Sequence, residues 1–133
     1  MSEDKKNEIG NDAQMPANDE PMETIVLTFW NVNDDPSLKK SFRGRWLVSP
    51  DMHLRADDSE YEGNGRWDSG VEWAAAKSEK GNIVVYTTHC NDRYEPQMQV
   101  YDSFAGLEGK VPQNVMAEIA SALGENYVIE MDI

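Results

Sequence analysis

The sequence of 133 residues contains a single cysteine, Cys90, so it cannot form an intrachain disulfide. Its longest apolar runs, such as residues 83–86, are far shorter than the roughly 20 residues of a membrane-spanning helix. Basic residues are scarce, because 12 lysines and arginines face 25 acidic residues and give a net charge of −13. That charge opposes direct binding to nucleic acid or to an anionic membrane. With no signal-peptide pattern at the N-terminus, these absences predict a cytoplasmic protein.

Ile9 and three methionines are the only sizeable apolar residues before residue 23. Residues 1–22 carry six acidic residues among Asn, Ser, Pro and Gly, and they cannot bury enough apolar surface to offset the entropy cost of ordering. Residues 23–133 hold all four Trp, five Tyr and three Phe. We therefore predict a disordered acidic tail over residues 1–22 and a single α+β domain over residues 23–133.

Alternation of apolar and polar residues predicts strands separated by turn residues. The predicted strands are residues 24–32, 41–48, 71–77, 82–90, 97–101 and 127–133. Met98 and Val100 are expected to point inward. Residues 51–70 contain six acidic residues and three glycines and are predicted to form a long mobile loop. Helical spacing from Pro112 to Leu123, ended by Gly124, predicts a helix. The predicted fold is α+β: an antiparallel sheet of about five or six strands with one C-terminal helix packed on one face.

The densest group of polar functional side chains follows the fourth predicted strand. The predicted binding residues are His89, Asn91, Asp92, Arg93, Tyr101 and Asp102. Since no coherent catalytic set accompanies them, we expect a small non-catalytic binding or regulatory module. A protein partner is the expected ligand, and the composition is also compatible with a homo-oligomer.

A catalytic alternative centres on the two histidines and the cysteine. His89 and Cys90 are neighbours, so on a strand they point to opposite faces and cannot form a thiolate–imidazole pair. His53 lies in the predicted mobile loop. We therefore expect Cys90 to be a small buried residue and His89 to lie on the surface at a strand end. The enzyme hypothesis is a small hydrolase or transferase in which His89 acts with Asp92 or Asp102, and it requires His89 in a concave pocket within hydrogen-bond reach of a carboxylate.

The remaining charged groups predict no metal or cofactor site. One cysteine and two histidines lack the paired spacing of a structural zinc site, and the acidic loop lacks the ligand pattern of a calcium loop. Lys39, Lys40, Arg43 and Arg45 form the one basic cluster, with the two arginines on one strand face. We expect these cations to pair with carboxylates of the same surface rather than to grip an acidic partner. A second alternative function is an acidic DNA mimic that inhibits a nucleic-acid-binding protein, which requires carboxylates aligned along one face.

Several short motifs, taken in order, resemble the EXLDI family of small, mostly actinobacterial proteins named for their C-terminal residues. The matching stretches are residues 44–48, 80–86, 91–93 and 100–103, the helix from Val111, and residues 129–133. The resemblance extends from about Phe42 to Ile133, and residues 1–22 do not match. It implies an α+β fold, and because the family has no established activity it implies no function.

Deletion of residues 1–22 is expected to leave the melting temperature nearly unchanged, because this segment offers little apolar surface to bury. Thermal melts of the full chain and of the truncated chain, followed by circular dichroism, measure the difference. A fall of several degrees in the truncated chain would mean that the tail contributes to the folded core.

Overall fold

The computed structural model describes residues 21–30, 38–57, 67–68, 70–91 and 93–128. These described residues form five strands and one α-helix. In chain order these are β1 (Glu23–Phe29), β2 (Leu38–Val48), β3 (Val71–Ser78), β4 (Ile83–His89), β5 (Gln97–Tyr101) and α1 (Gln113–Leu123). The α+β class, the antiparallel sheet and the single C-terminal helix are confirmed. No helix in the described part of the chain is long and apolar enough to span a bilayer.

The sheet is an antiparallel meander in which each strand pairs with its neighbours in sequence, in the order β1-β2-β3-β4-β5. The turn between β3 and β4 is closed by a hydrogen bond from the Ser78 amide to the Asn82 carbonyl, and by one from the Asn82 amide to the Ser78 hydroxyl. Gly81 has a φ of 95°, a value that favours glycine. This turn was predicted from the sequence, and its tight closure fixes the residues around it.

The helix covers one face of the sheet, here called the helix face. Pro112 occupies the N-cap of α1, and Gly124 ends the helix with a φ of 74°. Val115 and Ile119 are fully buried against Val48, Ala75 and other apolar residues of the sheet. The apolar stripe predicted from helical spacing is therefore the stripe that packs on the sheet.

The opposite face, here called the inner face, has a second apolar cluster because the sheet curls over on itself. Ile25 and Leu27 of β1 are each 2% exposed. They pack with small and medium residues of β3 and β4, namely Ala74, Ala76, Val84 and Tyr86. The Tyr86 hydroxyl donates a 2.6 Å hydrogen bond to the Thr28 carbonyl. Burial raises the pKa of Tyr86. The first strand is thus attached to the fourth, although β2 and β3 separate them in the sheet.

Several strand boundaries and side-chain orientations differ from the sequence prediction. β1 ends at Phe29, and β2 begins three residues before the predicted start. The predicted loop begins with a short 3₁₀ turn at Pro50–Met52, and Leu54 then bridges to Trp73, so this part is held against β3. Val100, expected to point inward, is 53% exposed, because the inner face is not covered near β5.

The predicted C-terminal strand is only partly within the described residues. Tyr127 and Val128 are not in a strand, and residues 129–133 lie outside the described part of the chain. Residues 1–20 and 31–37 also lie outside it. The Tyr127 ring packs edge-on against Phe104 with centroids 6.0 Å apart.

Replacement of Ile119 by Asp is expected to abolish cooperative folding. The change places an unpaired carboxylate in a fully buried contact, which costs several kcal/mol in a domain whose total stability is about 5–15 kcal/mol. A chemical denaturation curve measures the loss. Ala117→Asp is the matched control, because Ala117 is an exposed position of the same helix. Equal stability of the two variants would mean that Ile119 is not on the face of the helix that packs against the sheet.

Candidate functional site

Five of the six predicted binding residues lie in the described part of the chain, and these five are not brought together. His89, Asn91 and Arg93 lie at one end of the β4–β5 hairpin, whereas Tyr101 pairs with Ile83 at the other end. His89 is six residues beyond Ile83, which corresponds to about 20 Å along a strand. Asp102 directly follows Tyr101 and shares its end of the hairpin, and Asp92 lies outside the described residues.

The group around Asn91 forms the connection between β4 and β5. The Asn91 side-chain oxygen accepts a hydrogen bond from the Arg93 amide at 3.0 Å, and its carbonyl accepts one from the Tyr94 amide at 3.1 Å. This is the geometry of an Asx turn, in which a side chain replaces a backbone acceptor. Some of the polar residues that were predicted to bind a partner therefore form the hydrogen bonds of a turn.

His89 has both ring nitrogens occupied. Its Nδ1 accepts a hydrogen bond from the Asn91 backbone amide at 2.9 Å, so in the neutral ring the proton resides on Nε2. Nε2 lies 3.2 Å from Oδ2 of Asp68, and the ring stacks at a tilt on Tyr94 with centroids 4.3 Å apart. Only 14% of the His89 side chain is exposed. His89 is therefore held in a fixed orientation.

The carboxylate partner of His89 is Asp68, which sequence reasoning did not identify. The other Asp68 oxygen accepts the Gly70 amide at 2.8 Å. That backbone hydrogen bond, followed by the hydrogen bond from His89, holds the pKa of Asp68 below its ordinary value. A Cβ on Gly70 would lie 2.5 Å from the imidazole Cε1 and 3.0 Å from the sulfur of Cys90. Glycine is therefore required for this close approach.

Cys90 is exposed, which corrects the prediction that it is buried. It follows the last residue of β4, so the alternation of strand side chains no longer applies to it. As a result its Sγ lies 4.0 Å from Nδ1 of His89, although the two were predicted to point apart. The Asn91 amide already occupies that nitrogen, and proton transfer from the thiol would have to break this hydrogen bond. The set resembles a Cys-His-Asp arrangement in composition but lacks a free base.

The second histidine also has a carboxylate partner. His53, predicted to lie in a mobile segment, adopts a left-handed φ of 50° and places Nδ1 2.8 Å from Oε1 of Glu72. Arg55 reaches the other oxygen of the same carboxylate at 3.2 Å. The hydrogen bond from His53 is the largest cause that lowers the pKa of Glu72, and the contact with Arg55 lowers it further. These contacts attach the segment after β2 to β3. Among the described residues, no group of three or more His, Cys, Asp or Glu is arranged to hold a metal ion.

A larger cavity than the one beside His89 lies elsewhere, at the end of the inner face beside the β3–β4 turn. We call it the inner groove. It has a volume of about 440 Å³, within the range of about 300–1,000 Å³ that is usual for small-molecule sites. Its apolar lining comes from three strands that are distant in sequence, and consists of Phe42, Val84, Met98 and Val100. Sequence reasoning missed this groove because none of these residues is unusual within its own strand.

Three cations also line the inner groove: Lys40, Arg43 and Lys80. Lys40 and Arg43 were expected to pair with surface carboxylates, but none of these three cations forms an ion pair with another described residue. The Lys40 ammonium instead lies 5.0 Å from the centroid of the Phe29 ring. Arg45, predicted to share a strand face with Arg43, is only 7% exposed and is not available to a partner.

No family model, curated protein or solved structure matches this chain. The resemblance to the EXLDI family therefore stays a prediction that depends on the motifs alone.

Glu72 gives a pH prediction. Because its pKa is lowered in the folded state, its ion pairs stabilise the fold above the ordinary value of 4.5, and that stability is lost as the pH falls through the folded pKa. Between about pH 5 and pH 3, the free energy of unfolding is expected to fall less steeply in Glu72→Gln than in the wild type. Urea unfolding at several pH values measures both slopes. Glu118→Gln, at an exposed helix position, serves as the control and is expected to keep the wild-type slope. A wild-type slope in Glu72→Gln would contradict the assignment.

Proposed function

We propose that this protein is a small non-catalytic binding module and that the inner groove is its ligand site. The observation that carries the proposal is an apolar groove whose charged lining residues form no ion pair within the described part of the chain. The polar clusters around His89 and Glu72, in contrast, have their hydrogen-bonding groups engaged within the protein. An unsatisfied and accessible surface is where binding energy is available, whereas a satisfied cluster stabilises the fold.

The enzyme alternative is a hydrolase or transferase that uses His89. In its favour, His89 lines a pocket of about 230 Å³ within hydrogen-bond reach of a carboxylate. The partner is Asp68 rather than Asp92 or Asp102, and neither imidazole nitrogen is free to accept a proton from a substrate. We therefore interpret the contact between Asp68 and His89 as a fastening of the Gly70 segment onto the end of β4.

A location in the cytoplasm and the capacity to engage a protein partner belong to the same proposal. The single exposed cysteine and the net charge of −13 support the location. DNA mimicry is the weaker alternative, because it needs aligned carboxylates that stay free for a partner. Asp68 and Glu72, on neighbouring segments, are instead paired with histidines of their own chain.

A neutral fluorescent probe such as N-phenyl-1-naphthylamine tests whether the inner groove binds apolar groups. The full-length protein is expected to bind it, and Val100→Asn is expected to weaken binding about three- to tenfold through loss of apolar contact. Val26→Asn is the matched control, because Val26 is 52% exposed and Val100 is 53% exposed, and both lie on edge strands. Val26 does not line the groove.

Fluorescence titration gives the three dissociation constants, and urea unfolding checks that each variant is folded. Absence of probe binding to the wild type, or equal weakening by the two valine substitutions, would remove the groove as the ligand site.

A further inference from the structure

The inner groove combines an apolar lining with cationic side chains, although the chain as a whole is acidic. Its base consists of side chains from the inner face, where the curled β1 strand covers part of the sheet and leaves the part near β5 open. Val84 is 6% exposed and belongs to the core, whereas Val100 is 53% exposed at the edge. Phe42 and Met98 have intermediate exposure. A ligand in the groove would therefore extend the existing inner core. Both the apolar surface of the ligand and that of the groove would be removed from water.

The cations are positioned by the backbone rather than by counterions. The Glu79 amide donates a 2.8 Å hydrogen bond to the Arg43 carbonyl, which joins the β3–β4 turn to β2. The tight turn from Ser78 to Asn82 then carries Lys80 to the groove. Among the described residues, Glu79 is the only acidic residue that lines the groove. It forms no ion pair with Lys40, Arg43 or Lys80.

This arrangement is unusual for a chain with 25 acidic and 12 basic residues, in which any given cation has about two carboxylates available to it. Three cations around one apolar groove, none of them in an ion pair with another described residue, are a local reversal of the overall charge. Positive charge at the edge of an apolar site holds the anionic group of a ligand there, while the apolar part of the ligand enters the groove.

We propose that the ligand of the inner groove is an amphipathic anion: an alkyl chain or ring system of moderate size that ends in a carboxylate or a similar head group. This inference rests on the proposed function of the groove and adds the class of its ligand. The apolar part packs on Phe42, Val84, Met98 and Val100, and the head group lies near Lys40 and Lys80. A volume of about 440 Å³ admits one small ligand. Polyanions such as nucleic acid do not fit, since the rest of the chain repels them.

Three probes with nearly equal alkyl chains and different head groups test the proposal: decanoate, decanol and decyltrimethylammonium, each below its aggregation threshold. Binding to the full-length protein is followed by NMR through the methyl signals of Met98 and Val100. Decanoate is expected to bind about tenfold more tightly than decanol, and the cationic probe is expected to bind most weakly. A rise in salt from about 0.05 to 0.5 M is expected to weaken decanoate binding and to leave decanol binding unchanged.

The double substitution Lys40→Gln and Lys80→Gln is expected to remove the preference for decanoate and to leave decanol binding within about twofold of the wild type. Lys110→Gln, together with Lys39→Gln, is the matched control, because it removes the same charge from exposed positions that do not line the groove. Urea unfolding establishes that both variants are folded.

Two results would overturn the inference and leave the binding function intact: equal affinity for decanoate and decanol, or an equal effect of the groove variant and the control variant. Failure of all three probes and of the neutral fluorophore would overturn the inference and the proposed function together.

Discussion

The close packing of β1 on the inner face is the contact on which the rest of the structure depends. Ala74 and Ala76 present only methyl groups to Ile25 and Leu27, so the first strand can approach the third and fourth strands closely. Larger residues there would hold β1 away and flatten the sheet. The intervening Ala75 faces the helix side, where it is fully buried. Three consecutive alanines thus set the distances on both faces of one strand.

The curl has an incomplete reach, and the incompleteness produces the inner groove. β1 covers Ala74, Ala76 and Tyr86, but the sheet continues past them to β5, where Val100 stays exposed. The groove is therefore not a separate pocket added to the fold. It is the uncovered end of the inner core, and its apolar lining has the same origin as the packing beneath β1.

Much of the fold could be predicted from the sequence because its signals are local. Alternation identified β2 through β5, the spacing of Val115 and Ile119 identified the buried side of the helix, and Gly81 and Gly124 marked a turn and a helix end. The orientation of Val100 could not be predicted, because alternation shows which face a side chain occupies but not whether anything covers that face.

The candidate sites were less predictable because they are made of contacts between distant segments. Asp68 reaches His89 across 21 positions, and Glu72 reaches His53 across 19. Neither pair has a spacing rule that a sequence displays. The inner groove is harder still, since it joins β2, the β3–β4 turn, β4 and β5. Clusters of polar residues drew attention at Asn91, where the structure contains a turn.

The hydrogen bond from Tyr86 to Thr28 spans 58 positions in the chain, whereas every strand pairing in the sheet joins consecutive strands. Hairpins between consecutive strands close short loops and form early, while a contact across so long a loop forms late, because the entropy of closing it must be offset by contacts already made. We therefore expect the curl to form late in folding and to open before the rest of the sheet. Transient release of β1 from the inner face would expose the inner core to solvent while β3, β4, β5 and the helix stay packed. Amide hydrogen exchange in β1 would then report on this partial opening rather than on global unfolding.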